Sequence, residues 1–284
     1  MTTIARISKL RVLTGATVVA AAITISIPMA AQAAVACNET ALIAAVNAAN
    51  AAGGGNVVLT PGCVYVLTRS HAIGANGPDG LPIITTVIGF TGNANIITRS
   101  TKRGTAAFRI AEVSSSGNFT LKKVTLNNGL AVGAGGGILN FGAVTLTGSG
   151  LTNNTATGTG GGLSNADVLA PGTGTAATFT GSTVSGNSAT GNGAGIYNGL
   201  RGTLTTTSSF VKSNVSSMAQ GGGVAAVNST ATTLTSTPVN SNASLLAGGV
   251  YRLNGTMTIT TSPITGNIPT NCVGSSPPVP GCIN

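Results

Sequence analysis

Residues 178–198 read TFTGSTVSGNSATGNGAGIYN. This stretch contains a Thr-x-Thr pair at Thr178 and Thr180, an asparagine at Asn187, and a glycine-rich segment that leads to Ile196. Near-copies of all three features occur on both sides of it, for example GAGGGILN and GTGGGLSN before it and AGGVYRLN after it. Self-similarity at a fixed spacing is typical of repeat architectures, so we treat this stretch as one unit of a repeat.

Each unit is aligned by one asparagine, and the spacing between successive asparagines is about 25 to 28 residues. One unit of 33 residues fits an insertion around VLAPGTGTA (168–176). The aligned asparagines are Asn154, Asn187, Asn214, Asn242 and Asn267. Nine and seven residues before each asparagine stands a threonine, giving the pairs Thr145 and Thr147, Thr178 and Thr180, Thr205 and Thr207, Thr233 and Thr235, and Thr258 and Thr260.

The Thr-x-Thr pairs show strand alternation, in which the central apolar residue points inward and both threonines point outward. Thr206 breaks this rule in the third unit. A repeat this short cannot bury its own apolar face, so it must stack on its neighbours as a coil of a β-solenoid. In the quoted stretch, we expect Gly193 and Gly195 to bend the chain, Ile196 to fill the core and Asn198 to leave it. The repeated asparagines are expected to stack their amides from coil to coil and to satisfy turn backbone groups.

The two ends of the chain do not follow the repeat. Residues 37–56 have Leu42, Ile43 and Val46 at helical spacing, which predicts an amphipathic helix that caps the open end of the solenoid. We expect the solenoid to span residues 57–268, with a less regular part at residues 70–118. Residues 269–284 are predicted to form a disulfide-looped tail.

Residues 1–36 have the pattern of a secretory signal peptide: three basic residues, an apolar run and a small-residue site. Cleavage after Ala33 and cleavage after Ala36 both fit. No later stretch has the roughly 20 apolar residues of a membrane helix, so we expect a secreted protein without a transmembrane segment in the mature chain, either free or associated with the cell wall. In an oxidising compartment the four cysteines predict two disulfides, most simply Cys37 with Cys63 and Cys272 with Cys282. Their spacing does not predict a metal site.

Charged residues make up only 6% of the chain, and aromatic residues only 3%. Three of the 13 Lys and Arg residues lie in the leader, so the mature part has ten basic residues against four acidic ones. This balance permits weak attraction to anionic polymers. It does not indicate nucleic-acid binding, because an aromatic stacking platform and a recognition helix are both missing from the pattern.

The repeats resemble those of secreted bacterial right-handed parallel β-helix proteins of the pectin-lyase-like superfamily. They are also similar to the Gly-Gly-x-Ile and Asn repeats of polymorphic outer-membrane proteins and other autotransporter adhesins. The resemblance covers residues 37–284 and implies an all-β, single-stranded right-handed parallel β-helix with an N-terminal α-helical cap. It does not fix a function, since this fold carries lyases, hydrolases and adhesins.

Candidate catalytic groups are few. The mature part has four carboxylates, Glu39, Asp79, Glu112 and Asp167, and none neighbours another in sequence. A lyase or hydrolase on this fold needs clustered carboxylates, so a catalytic or calcium site is not predicted. His71 is expected to be a solvated loop residue without a paired acid. The basic run Arg99, Lys102, Arg103 and Arg109 is interpreted as a charged strand edge, with an anion-binding patch as the alternative.

Binding therefore remains as the leading functional hypothesis. The ten outward threonines would form two columns that repeat every 4.8 Å or so and could lie against an ordered polymer or surface. We expect a secreted, non-catalytic, monomeric protein that binds polysaccharide or cell-wall polymer and needs no cofactor. A polysaccharide lyase-like enzyme on acidic polysaccharide is one alternative. The other is an ice-binding protein, because ice-binding β-solenoids have similar Thr-x-Thr ladders.

Overall fold

The structure is a computed structural model that describes residues 33–165 and 174–284. The described chain is a parallel β-solenoid of about seven turns with one short helix near its N-terminal side. The all-β solenoid predicted from the repeat is therefore confirmed. The leader and the insertion predicted around residues 168–176 lie mostly outside the described residues.

The helix and the strands follow in chain order. The N-terminal part contains α1 (Glu39–Ala51), β1 (Gly54–Val58), β2 (Val64–Leu67), β3 (Ala72–Gly74), β4 (Gly77–Asp79), β5 (Val87–Arg99), β6 (Ala111–Val113), β7 (Asn118–Asn127), β8 (Leu130–Ala131) and β9 (Ile138–Asn140). Two regular coils follow as β10 (Ala143–Thr147), β11 (Gly150–Thr152), β12 (Thr155–Ala156), β13 (Leu163–Asn165), β14 (Ala176–Thr180), β15 (Thr183–Ser185), β16 (Ser188–Ala189) and β17 (Ile196–Asn198). The C-terminal coils are β18 (Thr203–Thr207), β19 (Phe210–Lys212), β20 (Val215–Ser216), β21 (Val224–Val227), β22 (Ala231–Thr235), β23 (Val239–Asn240), β24 (Ala243–Ala247), β25 (Val250–Leu253), β26 (Thr256–Thr260), β27 (Ile264–Thr265) and β28 (Ile268–Thr270).

Equivalent strands of successive coils pair in parallel, so each strand position of the repeat builds its own sheet column. One sheet contains β10, β14, β18, β22 and β26, and β7 joins this column to the column of β11, β15, β19, β23 and β27. Two six-stranded sheets complete the coil. Alternate side chains point into the bore, where Leu146, Phe179 and Leu234 are fully buried. One continuous apolar core therefore runs along the axis.

Each coil turns at corners where the backbone adopts a left-handed conformation. In the coil that begins at β10, Gly148 and Asn153 have φ values of 55° and 54°. Ser208 and Ser213 occupy the same corners two coils later, with φ values of 49° and 56°. Left-handed conformations cost little for Gly and are tolerated by Asn. The position after each corner points inward and is polar.

Gly195 and Asn198 show why the quoted stretch has its composition. A Cβ on Gly195 would lie 2.5 Å from the carbonyl oxygen of Gly223 in the next coil, so this contact requires glycine. Ile196 fills the core as expected. Asn198 does not leave the core as predicted: it is fully buried and accepts a hydrogen bond from Nδ2 of Asn165. It belongs to a second internal asparagine ladder.

The cap helix begins after Asn38, whose side chain accepts a hydrogen bond from the backbone N–H of Ala41. Its buried residues Leu42, Val46 and Ala49 cover the first coil, where the helix packs on β1, β2 and β5. The Cys37–Cys63 disulfide ties the start of the helix to this coil. At the other end, the Cys272–Cys282 disulfide closes the tail. Both disulfides have the pairing predicted from the sequence.

Residues 70–118 contain a hairpin where the sequence predicts a loop. Strands β3 and β4 pair antiparallel, with Ala72 opposite Asp79 and Gly74 opposite Gly77. The alternating pattern of a strand is weak in AIGANGPD, because glycine and proline punctuate it. We name residues 72–79 the strap.

Candidate functional site: a threonine face and a buried charge cluster

The outward side of β10, β14, β18, β22 and β26 forms one face of the solenoid, which we name the threonine face. Thr145, Thr178, Thr205, Thr233 and Thr258 are direct register partners along one column. Thr147, Thr180, Thr207, Thr235 and Thr260 form the second column in the same register. All ten side chains are exposed or half-buried. Neighbouring strands lie about 4.8 Å apart, so the hydroxyl and methyl groups repeat at that spacing along the axis.

The face continues beyond the repeat toward the N-terminus. Thr120 of β7 extends the first column, and Lys122 takes the place of a threonine in the second. Lys122 is the one charged side chain in the two columns over the rungs from β7 to β26. In the next rung Gly89 interrupts the first column, and a shallow depression of about 430 Å³ opens there. The sequence repeat did not indicate this extension because the rung of β7 lacks the aligned asparagine, although NFTLKK has the same alternation.

The threonine face is backed by polar ladders that lock each coil to the next. At the corner after the face, the hydroxyl of Ser182 accepts from the backbone N–H of Ser149 at 3.2 Å and donates to the carbonyl of Thr180 at 3.0 Å. Ser209, Thr237 and Ser262 repeat this arrangement in the following coils. Each rung at this corner is therefore joined to the next by hydrogen bonds that recur along the face.

The aligned asparagines form a second set of such bonds inside the bore. Oδ1 of Asn187 accepts from the backbone N–H and from Nδ2 of Asn154, at 2.9 and 3.1 Å. Its own Nδ2 donates to the carbonyl of Leu151 at 2.9 Å. Asn214, Asn242 and Asn267 repeat these contacts, and Asn271 accepts from Asn267 at the end of the series. Every amide in the ladder is thus satisfied although it is buried.

Thr206, the exception to the inward apolar rule, points inward and is fully buried between Phe179 and Leu234 in its column. Its hydroxyl donates to Oγ1 of Thr237 at 3.1 Å. The polar side chain is tolerated in the core because the neighbouring ladder supplies an acceptor.

A cluster of charged groups lies beneath the strap, and sequence spacing did not reveal it. Nη1 of Arg109 donates to Oδ1 of Asp79 at 2.9 Å and to Oε2 of Glu112 at 3.2 Å. Nη2 of Arg109 donates to the carbonyl of Asn76, and Nδ2 of Asn76 donates to Oε1 of Glu112 at 3.2 Å. We name these four residues the Arg109 cluster. Two carboxylates 33 residues apart meet at Arg109 because Asp79, at the end of the strap, forms a parallel β-bridge with Arg109.

Asp79 is the perturbed member of this cluster. It is fully buried, and among the described residues its Oδ2 atom has no hydrogen-bond partner. Burial raises the pKa of Asp79 to about 7; the positive charge of Arg109 acts in the opposite direction, and the negative charge of Glu112 raises the pKa further. Asp79 therefore changes its charge near neutral pH.

The predicted basic patch is divided by the structure. Arg109 does not belong to a solvated strand edge: its side chain is 1% exposed and is held in the Arg109 cluster. Arg99 is half-buried, donates to the carbonyls of Asn128, Thr105 and Ala106, and lies over the ring of Phe108. Lys102 and Arg103 are exposed. Only these last two match the interpretation as free surface charges.

His71 is also placed differently from the expectation. Its Nε2 atom lies 2.8 Å from Oε1 of Glu39 in the cap helix, and the side chain is 12% exposed. Glu39 also accepts from the backbone N–H and the hydroxyl of Thr68, at 2.9 and 2.6 Å. Burial acts to raise the pKa of Glu39, but these hydrogen bonds and His71 outweigh it, so the pKa is lowered. The pair ties the base of the strap to the cap helix.

Within residues 33–165 and 174–284, no three His, Cys, Asp or Glu side chains come together in a way that could hold a metal ion. Asp167, the fourth carboxylate of the sequence, lies outside the described residues. The same ranges contain no helix of the length and apolarity that crossing a bilayer requires. In comparisons with known proteins, no family model, no curated protein and no solved structure matches this chain.

Proposed function

We propose that this chain is a secreted, non-catalytic β-solenoid that binds an ordered extracellular polymer, carbohydrate or cell wall, through the threonine face. The observation that carries the proposal is the register of the two columns: ten threonines over five successive rungs, each paired directly with the next. A regular array of hydroxyl and methyl groups can donate and accept hydrogen bonds and contact apolar sugar faces at regular intervals. The ladders of Ser182 and Asn187 hold the array rigid, so binding would cost little ordering entropy.

Two further features follow from the sequence resemblance: a right-handed coil and secretion of the protein. We infer a right-handed coil, since parallel crossover connections are right-handed in about 98% of cases. Secretion is supported by the predicted leader and by the two disulfides, which persist in oxidising compartments.

The structure also favours one of the two cleavage sites. The carbonyl of Val35 accepts from the hydroxyls of Thr60 and Tyr65, both at 2.7 Å, and its N–H donates to Val58. Cleavage after Ala36 would remove Val35 and leave the buried Tyr65 hydroxyl without this acceptor. We therefore propose cleavage after Ala33, and the intact mass of the secreted protein tests it: the mature chain should begin at Ala34.

The binding proposal is tested by co-sedimentation of the mature protein with purified cell wall and with a panel of insoluble and soluble polysaccharides, in moderate salt. Thr205→Lys places a bulky charge in the middle of the face, whereas Ser188→Lys places the same charge on another outward column. We expect Thr205→Lys to weaken binding about tenfold or more, equivalent to about 1.4 kcal/mol, and Ser188→Lys to have little effect. Equal loss in both variants would contradict the assignment of the face, and retention on none of the polymers would contradict the function.

Ice binding is the second candidate, and it depends on the same columns. The even rung spacing and the near absence of charge on the face favour contact with a crystalline plane as much as with a polymer. Thermal hysteresis and inhibition of ice recrystallisation separate the two. If the protein is active in these assays, and if the activity is lost in Thr205→Lys but kept in Ser188→Lys, the ligand of the threonine face is ice and not a polymer.

A polysaccharide lyase-like enzyme is less well supported. Its charged groups would come from the Arg109 cluster, but Arg109 and Asp79 are buried beneath the strap, with side chains 1% and 0% exposed. A polymer cannot reach these atoms while the strap is in place. Release of unsaturated products from pectate or alginate, with and without calcium, tests this alternative directly.

A further inference from the structure

The strap is attached to the solenoid through charged side chains and through backbone hydrogen bonds that Pro78 and Gly80 form with Arg109. At one base, His71 contacts Glu39 of the cap helix. At the other base, Asp79 contacts Arg109, and Arg109 also holds the carbonyl of Asn76 near the turn. Ile73 is the one large aliphatic side chain in residues 72–79, and it is 82% exposed. Apolar contacts therefore contribute little to holding the strap on the solenoid. Polar and charged contacts, rather than apolar packing, therefore hold the strap in place.

A cleft of about 350 Å³ lies between the strap and the first glycine-rich corner. Ala75, Asn76 and Gly77 of the strap form one wall, and Val132, Gly133 and Ala134 form the other, with Arg109 and Leu139 between them. Movement of the strap would open this cleft and expose the guanidinium group of Arg109. The position of the strap thus determines whether the cleft and its charged base are accessible.

The charges beneath the strap do not balance when all groups are ionised. Asp79 and Glu112 then place two negative charges against the single positive charge of Arg109. Oδ2 of Asp79 has no partner there among the described residues, so ionisation leaves a buried oxygen without solvation. Within the described residues, Arg109, Glu112 and Asp79 are the charged groups in mutual contact at this base, and Glu39 faces the other base through His71.

We propose that the strap is a pH-controlled cover of this cleft, which is held closed when Asp79 is protonated and released when Asp79 loses its proton to solvent. Opening hydrates the carboxylate, so the ionised form favours the open state and the neutral form favours the closed state. The threonine face lies on other strands and is not part of this movement.

The direction of the pH effect follows from the raised pKa of Asp79. In the closed state this pKa is about 7, above the ordinary value of 3.8 expected once the group is hydrated. The stabilisation of the closed state is complete below about pH 4 and is lost as the pH rises to about 7. The opening constant should increase by up to about tenfold per pH unit in that window and level off above it.

Hydrogen exchange of the mature protein at several pH values, corrected for intrinsic rates, measures this opening. The reporting amides are those of His71, Gly80 and Arg109, whose acceptors are the carbonyls of Asp79, Arg109 and Pro78. We expect their opening constants to increase about 100-fold between pH 5 and pH 8. Amides of β14 in the threonine face should not change. A strap without pH dependence, or a change shared equally by β14, would overturn the proposal.

Three variants separate titration from simple loss of structure. Asp79→Asn should make strap exchange independent of pH over this window. Glu112→Gln should move the midpoint to lower pH, because the charge of Glu112 raises the pKa of Asp79. Lys102→Gln, a change of an exposed charge, should leave the profile unchanged. An unaltered profile in Asp79→Asn contradicts the proposal.

If Asp79→Asn does not fold, the wild-type protein still provides a test. The carboxyl carbon shift of Asp79 should titrate in a step near pH 7. If the carboxylate of Asp79 is already ionised at pH 5, the strap is not a pH-controlled cover of the cleft.

Discussion

The regular coils from β10 onward and the segment of residues 70–118 satisfy their buried polar groups in different ways. In the regular coils, amides and hydroxyls such as Asn187 and Ser182 are bonded to their own kind in the next coil, without charge. In residues 70–118, Arg109, Asp79 and Glu112 bury formal charges against one another. The first arrangement is independent of pH, whereas the second depends on it.

The two kinds of buried polar contact require different sequence patterns and respond differently to pH. A neutral ladder needs the same residue at every rung, so it imposes a repeat and produces a rigid, even face. A buried charge cluster needs partners from distant segments, so it breaks the repeat and couples structure to protonation. The binding proposal therefore rests on the coils, and the proposed response to pH rests on the strap.

The largest effect is expected from breaking the neutral ladder in its middle. Asn214→Leu would leave the backbone N–H and Nδ2 of Asn187 and the carbonyl of Val184 without their partner. With about 1–3 kcal/mol for each buried unsatisfied group, we expect a loss of about 4 kcal/mol in the free energy of unfolding. Urea denaturation measures it. Asn240→Leu, at an outward position of β23, is the matched control and should cost less than about 1 kcal/mol. Similar losses in both would mean that the ladder does not stabilise the coils.

The next effect compares the two disulfides. Cys37 and Cys63 are separated by 26 residues in sequence, and Cys272 and Cys282 by 10. Replacing the first pair by alanine should lower stability by about 3 kcal/mol, and replacing the second pair should lower it less, because a shorter loop restricts the unfolded chain less. Thermal unfolding under identical conditions gives both values. A larger loss of stability on replacing Cys272 and Cys282 would contradict this order, because it would mean that the tail disulfide stabilises the fold more than the disulfide at the cap helix.

The pH dependence of the unfolding free energy should come from Asp79 and Glu39. Asp79 has a raised pKa, so its contribution is present at acid pH and decreases by about 2 kcal/mol between pH 5 and pH 7. Glu39 has a lowered pKa, so its contribution is present above its ordinary pKa of 4.5 and is lost in stronger acid. We expect maximal stability near pH 4 and a decrease from pH 5 to pH 7 in denaturant titrations at several pH values. Stability that increases from pH 5 to pH 7 would contradict the sign for Asp79.

The smallest effect concerns the one polar residue in the apolar column. Thr206→Val removes a donor, but Oγ1 of Thr237 keeps its contacts with Thr235 and Ser209. No buried group is left unsatisfied, so the change in unfolding free energy should stay within about 1 kcal/mol. A loss of unfolding free energy comparable to that of Asn214→Leu would mean that the Thr206 hydroxyl stabilises the coils as the ladder residues do.

The sequence predicted the solenoid, the register of the threonine columns and the disulfide pairs because each depends on spacing that recurs or on proximity in the chain. It did not predict the Arg109 cluster, since Asp79 and Glu112 are brought together by a single hairpin that no other unit repeats. Asn198 was placed wrongly because the glycine-rich stretch was interpreted as a corner that extends to this residue, whereas residues 196–198 form strand β17, in which all three side chains are buried. Thr120 was missed because its rung lacks the aligned asparagine.

The stacking that creates the threonine face is the premise of the binding proposal, and a distance measurement tests it most directly. Cysteines introduced at Thr120 and Thr258 carry spin labels on one column, five rungs apart. At about 4.8 Å per rung, pulsed electron paramagnetic resonance should give a narrow distribution near 24 Å, and moving the second label to Thr233 should shorten it by about 5 Å. A broad distribution, or a distance that does not shorten by one rung, would contradict the in-register face.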